Sequence, residues 1–471
     1  MNVRATAAGM RPRYHFAAKK GWINDPNGLI YLDGLYHLFF QYYPDDIRHG
    51  PMHWGHAVSS DLTTWKEEPI ALYPDEHGQC FSGSAIAAKP GVTADSLGDA
   101  EVLLYYTAHL PRTGEPDLQT QCVATADRGF SRIHKHPNNP IIANPGLEAF
   151  RDPKVSWHEP TRRWIMVVTL GQSIGFYNSP DGLNWTYVSS FGEGHGCHSE
   201  GPWECPDLFP MRVDDDGKEL WVLVVGIGSG AFAGGSGTQY FVGTFDGERF
   251  ESLNAPNETL WLDHGSDCYA TQSWSGPTPG GPTVISWMSN WAYARATPTA
   301  EFRGLMTLPR QLSLNSTGSG PRLFQKLPES VAARFPRTPA KFGRNETEAS
   351  FDLSLGGVHR CTIELALGAR EAVEISLFGE AGPWLTLTRT RDRLVKVEQR
   401  RSGTLFDGQK LPGFATDCSF ELEAGELVKV DAFLDRGAVE VGLDGGRAWI
   451  SSLFFPADPA GPLHLRRTLG A

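Results

Sequence analysis

The chain has 471 residues, enough for two domains with sizeable cores. Hydrophobic residues make up 40% and charged residues 20%, which excludes a disordered chain. A net charge of −12 argues against nucleic acid and anionic membranes as partners and favours a neutral one.

The first twenty residues, Met1 to Lys20, carry Arg4, Arg11 and Arg13 but no apolar core, so no signal peptide is expected. No apolar run reaches membrane-spanning length. Seven scattered cysteines, Cys80, Cys122, Cys197, Cys205, Cys268, Cys361 and Cys418, read as reduced thiols. The expected location is cytoplasmic, with export if the chain is a trimmed form. Oligomeric state is not legible.

The stretch Gly21-Trp22-Ile23-Asn24-Asp25-Pro26-Asn27-Gly28 comes next. Pro26 removes a backbone donor and biases Asp25 towards extended geometry. Asn27-Gly28 is a turn signal. A carboxylate is thus expected at a strand end, beside amides and an indole. From Tyr14 to about Leu314, short apolar runs alternate with Gly, Pro, Asn and Asp. Runs at 34–41, 102–106, 164–168 and 220–225 read as strands, and no long helical period appears.

A weak repeat crosses this region. Turns at 60–65, 125–130, 179–185 and 244–250 each hold an Asp followed by an aromatic residue. They recur every ~60 residues, a period suited to a propeller blade. About five blades of four strands are expected. The acidic motifs fall in phase with these turns: Asn24-Asp25-Pro26, Phe150-Arg151-Asp152-Pro153-Lys154 and Trp203-Glu204-Cys205-Pro206-Asp207. Phe81-Ser82-Gly83-Ser84 and the unit from Asp263 to Ala270 complete the set. If each lies on an inner strand, three carboxylates meet in the central channel.

Beyond Leu314 the pattern loosens, and alternation returns after Phe351. The chain is expected to be all-β: a five-bladed β-propeller catalytic domain at 1–318, a linker at 319–340 with a short helix, and an antiparallel β-sandwich at 341–471. Asp444-Gly445-Gly446 reads as a hairpin turn. His195, Cys197, His198 and Cys205 are close in sequence, but their spacing matches no common zinc site. No metal and no cofactor are expected. A thiol pairing of Cys197 with Cys205 has no support in the sequence.

These motifs resemble glycoside hydrolase family 32, the invertases, levanases, inulinases and related fructosyltransferases. The resemblance extends to Gln41-Tyr42-Tyr43-Pro44, Gly50–His56, Ser286–Trp291, Phe302–Arg310 and Val430–Val441. It implies a propeller followed by a sandwich. It implies Asp25 as nucleophile, Glu204 as general acid/base and Asp152 as the carboxylate that stabilises the transition state. A retaining glycosidase needs its two reacting carboxyl groups about 5–5.5 Å apart. Glu204 has to begin protonated, and Arg151 is expected to keep Asp152 or its neighbours ionised. Trp22, Asn24, Gln41, Trp54, Phe81, Ser82 and Arg151 are the expected sugar subsite, with Trp287 or Trp291 closing it. The implied partner is a neutral fructose-containing saccharide, cleaved at its terminal β-D-fructofuranosyl residue. The alternative is a fructosyltransferase using the same acids.

Overall fold

The computed structural model describes residues 11–214, 217–351, 358–377, 382–455 and 462–469. The first ten residues of the stretch read for a leader therefore lie outside it.

Five antiparallel sheets of four main strands form a ring of blades. Their inner strands are Gly21–Leu32, Gln79–Ala87, Phe150–His158, Trp203–Arg212 and Tyr269–Ser273. The four apolar runs of the sequence are the second strands of the first four blades, at Leu35–Tyr43, Val102–Leu110, Arg163–Leu170 and Glu219–Ile227. Each second strand is buried along nearly its whole length. Both of its faces are covered, which is why these segments lack polar alternation.

The repeated turns join the third and fourth strands of four blades. The Asp carboxylate accepts backbone N–H groups two or three residues on, at Asp61, Asp181 and Asp246. Asp127 accepts from Arg132 N. The carboxylate replaces ladder partners that the turn removes. The following aromatic, as at Phe130 and Phe250, then enters a core between blades.

The inner strands are tied to one another around the channel. Ser84 Oγ donates to Pro153 O at 2.8 Å, and Ser275 N donates to Leu29 O at 3.0 Å. Lys154 Nζ reaches Ser273 O at 2.7 Å and Asp207 Oδ2 at 3.0 Å, deep in the ring. Residues Phe302–Arg303 return to pair in parallel with Gly21–Trp22.

Three expectations are corrected. Asn27-Gly28 makes no reversing turn, because it lies inside the strand Gly21–Leu32 as a β-bulge between Asn27 and Ile30. Gly28 has φ 50°, and a Cβ there would sit 2.8 Å from the Phe39 and Trp54 rings. Much of the expected connector at 319–340 is regular. Gly320–Lys326 is the outer strand of the fifth blade, Glu329–Ala332 is a helical turn, and Arg337–Phe342 begins the sandwich. The sandwich is not wholly antiparallel either, since Arg337–Phe342 pairs in parallel with Val358–Ala366.

The sandwich stacks a five-stranded and a six-stranded sheet over one apolar core. Asp444-Gly445-Gly446 turns the chain between Ala438–Leu443 and Ala448–Leu453, as its residue types require. The acids Asp263 and Asp267 precede the fifth inner strand and face the sandwich, not the channel. Arg310 bridges Asp263 and Glu440, and Arg401 pairs with Asp267 at 2.6 Å.

Candidate active site

Every inner strand breaks its ladder at the same height. Register shifts fall between Ile23 and Pro26, Phe81 and Gly83, Glu204 and Asp207, and Tyr269 and Gln272. In the third blade the shift lies opposite Val167–Thr169, at Asp152-Pro153. Asp152, Cys205 and Ala270 adopt left-handed φ of 65°, 49° and 53°. Non-glycine residues take such values at a cost, and bulges re-aim side chains beside functional sites. Pro26, Pro153 and Pro206 follow three of these bulges, where a ladder donor is not needed.

The bulges turn three carboxylates into one pocket. Ser82 Oγ donates to Asp25 Oδ2 at 2.6 Å, and Asn24 Nδ2 donates to Asp25 Oδ1 at 3.0 Å. Cys205 N donates to Asp152 Oδ2 at 2.9 Å. The Cys205 thiol lies 3.4 Å from Asp25 Oδ2 and 3.6 Å from Asp152 Oδ2, between the two acids. Arg151 forks onto Glu204 Oε1 from Nε at 3.1 Å and Nη2 at 2.8 Å. The Tyr269 hydroxyl donates to Glu204 Oε2. Arg151, expected beside Asp152 or a neighbour, is thus committed chiefly to Glu204, with Asp152 4.0 Å away.

Burial dominates the electrostatics. It raises the Asp25 pKa, against the hydrogen bonds from Ser82 and Asn24. Burial also pushes Asp152 up to about 7, opposed by Arg151 and reinforced by the charges of Glu204 and Asp25. Cys205 and Tyr269 are driven well above their ordinary ranges by burial and by the neighbouring carboxylates. Both therefore remain donors. One cation among three acids favours retention of a proton in the cluster.

The aromatic wall is partly as expected. Trp22 stacks on Trp291 at 6.0 Å, and Trp287 lies 4.7 Å from Trp291. Trp22 Nε1 donates to Asn24 Oδ1 at 2.8 Å, which orients the amide towards Asp25. Phe81 and Trp291 are half-buried. Gln41 and Trp54 are buried behind that wall. Gln41 Nε2 donates to Cys80 O and Trp54 Nε1 to Phe81 O, so both brace the strand carrying Ser82.

Sequence reasoning misses Tyr269 as a site residue, although its place on the fifth inner strand matches that of Glu204 on the fourth. The phase of the repeat is the available signal. The His195–Cys205 constellation does not assemble. His198 bonds Gln172 and stacks on Trp203, while Cys205 lies in the channel, and Cys197 and Cys205 are both free thiols.

Comparison with known proteins decides the family. The glycosyl hydrolases family 32 N-terminal domain matches residues 15–326, and the family 32 C-terminal domain matches residues 337–470. The chain belongs to glycoside hydrolase family 32. It is a glycosidase with the family's propeller and sandwich. It is 38% identical to a levanase of Bacillus subtilis over 95% of its own length, spanning 66% of that protein. It is 33% identical to an extracellular exo-inulinase of Aspergillus niger, over 98% of this chain and 92% of the other. The crystal structure of exo-inulinase from Aspergillus awamori superposes with a TM-score of 0.80 at 29% identity, covering 100% of this chain and 97% of that one. Among the described residues, no helix is long and apolar enough to cross a membrane.

Proposed function

We propose that this family 32 enzyme removes terminal β-D-fructofuranosyl residues from sucrose, fructooligosaccharides, inulin or levan, with retention of configuration. The observation that carries the reading is the pocket of phase-equivalent bulges, in which Asp25 and Asp152 flank one thiol and Glu204 is gripped by Arg151 and Tyr269.

Asp25 is the nucleophile. Ser82 and Asn24 each donate to one of its oxygens, which holds the carboxylate in place for attack on the anomeric carbon. Glu204 protonates the departing glycosidic oxygen as the C–O bond breaks and the Asp25–carbon bond forms. It then takes a proton from water as water displaces Asp25. Asp152 lies beside the developing positive charge of the ring and accepts its hydroxyls. Asn24, Ser82 and the Trp22–Trp291 wall hold the fructosyl unit. Trp54 and Gln41 brace the strand that carries Ser82.

Water is the acceptor in this reading. The relatives named levanase, exo-inulinase and invertase support hydrolysis over fructosyl transfer. For location, the free thiols support the cytosol and the relatives named extracellular support export. Assay of washed cells against culture medium separates the two.

Timed product analysis on sucrose, inulin and levan tests the function. Free fructose is the expected first product, lost in both Asp25→Ala and Glu204→Ala. Oligofructosides of intermediate length as first products, or full activity in either variant, would overturn the reading.

A further inference from the structure

Arg151, which grips Glu204, also contacts residues one blade away. The bulge that carries Arg151 rests on the second blade, whose third strand is Leu118–Ala126. Two buried glutamines of that strand face it. Gln121 Nε2 donates to Phe150 O at 2.8 Å, while Gln119 Oε1 accepts from Phe150 N at 2.9 Å. The same Gln119 oxygen also accepts from Arg151 Nη1 at 3.3 Å. With its oxygen committed to two donors, Gln119 turns Nε2 outward, 3.4 Å from His109 Nδ1.

That contact fixes the imidazole. Nδ1 must accept from the amide, so the ring proton lies on Nε2, which is 3.2 Å from Asp117 Oδ2. His109 also stacks face to face on Phe81, at 4.0 Å and 5°. A directed chain results. Arg151 donates to Gln119, Gln119 donates to His109, and His109 donates to Asp117. At its inner end, Arg151 donates twice to Glu204.

The chain runs along a cavity. A hollow of about 640 Å³ is lined by Asp117, Gln119, Leu147, Arg151, Gln172 and Glu200, among others. Arg151 is thus reached from the hollow on one side while it holds Glu204.

We propose that Gln119 is a positioning residue for the glycosidic reaction, holding Arg151 against Glu204 under the orientation imposed by His109. This rests on the acid/base role proposed for Glu204. A guanidinium has several rotamers of similar energy, and two bonds to one carboxylate oxygen do not select among them. The bond to Gln119 pins the far side of the fork. The groups facing Glu204 are then Arg151, Tyr269, Asp25, Asp152 and Cys205, and only Arg151 is cationic. His109 faces Asp117, Arg151 and His49, and its burial, the largest influence, lowers its pKa.

The test compares two leaving groups. Sucrose needs its departing oxygen protonated, whereas an aryl β-D-fructofuranoside with an acidic phenol does not. Gln119→Met is expected to lower kcat on sucrose about tenfold or more, with KM little changed. Its kcat on the aryl fructoside should fall less than twofold, and the alkaline limb of the sucrose pH profile should move upward. His109→Phe keeps the stack on Phe81 but removes the acceptor, and should give a smaller loss of the same kind. His109→Asn retains an acceptor near Nδ1 and should recover most of the activity. Equal losses on the two substrates, or an unmoved alkaline limb, in a folded His109→Phe or Gln119→Met protein would overturn the proposal. Glu204→Gln runs beside them. If it spares sucrose turnover, the role of Glu204 itself fails, whatever Gln119 does.

Discussion

Asp152 shows how much stability one functional side chain costs. Burial lifts its folded pKa to about 7 from an ordinary 3.8, so the folded protein binds this proton more tightly than the unfolded chain. The linkage has a definite sign. Between about pH 4 and 7 the folded state carries the extra proton, so stability falls as pH rises through that window and is lowest above it. A carboxamide in place of this carboxylate would keep the acceptor for Cys205 N and carry no charge. Asp152→Asn should therefore melt near the wild type at pH 4 and several degrees higher at pH 8. The gap is on the order of 4 kcal/mol, taking ~1.4 kcal/mol per pKa unit over the rise from 3.8 to about 7. The kcat of this variant should fall about 100-fold or more through loss of transition-state charge stabilisation. Melting curves at the two pH values, with sucrose turnover beside them, check both parts. A variant less stable than wild type at pH 8 would show that the carboxylate is not held at a cost.

At the scale of strands, the first inner strand and its hairpin carry two glycines in one conformational class and in two environments. Gly34 has φ 82° in the hairpin after Leu32, with open space around its missing Cβ. Gly28 has φ 50° and two aromatic rings within 2.8 Å. Alanine at Gly34 should cost only the left-handed penalty, about 1–2 kcal/mol. Alanine at Gly28 adds overpacking of about 1–3 kcal/mol and displaces Trp54, which braces the Ser82 strand. Denaturant midpoints should rank wild type, Gly34→Ala, then Gly28→Ala, with only the last losing activity on sucrose. Equal midpoints for the two variants would remove the packing argument.

The same strand shows where sequence reading stops. The Asp-capped turns were legible because each is made by local bonds, from Asp61, Asp127, Asp181 and Asp246 to nearby backbone. Two-sided burial made the second strands legible as apolar runs. Asn27-Gly28 misled, since a glycine required by a close ring contact looks the same in sequence as one required by a turn. Asp25, Asp152 and Glu204 stood out by motif and phase. The phase of the repeat places Tyr269 level with Glu204, but what Arg151 and Tyr269 grip depends on rotamers across three blades, which no local pattern encodes. The acids Asp263 and Asp267 carry the composition of an active-site motif and serve the sandwich contact instead.

That contact makes the two domains one molecule. Arg310 lies buried between Asp263 of the fifth blade and Glu440 of the sandwich, and its ring neighbour is Trp449. His15, in the segment leading to the Asp25 strand, bonds Asp435 and Glu440 at 2.9 Å each. Backbone N–H groups of Arg13, Tyr14 and His15 also bond Asp435. Burial works against a charge on His15, but the two carboxylates outweigh it and raise the pKa to about 9 from 6.5. The sign is opposite to that of Asp152. The stabilisation from His15 is fully present below pH 6.5 and is lost as pH rises through about 9. Uncharged His15 removes the charge shared by the two carboxylates, leaving Glu440 with Arg310 as its cation and Asp435 to backbone donors. The strap before Asp25 and the sandwich then loosen together. Calorimetry should show wild-type stability falling from pH 7 to 10. His15→Gln should start lower, by about 3 kcal/mol for a broken buried pair, and stay flat over that range. Arg310→Met should separate the transition into two, one for each domain. If His15→Gln keeps the wild-type alkaline slope, the titrating group that joins the domains lies elsewhere.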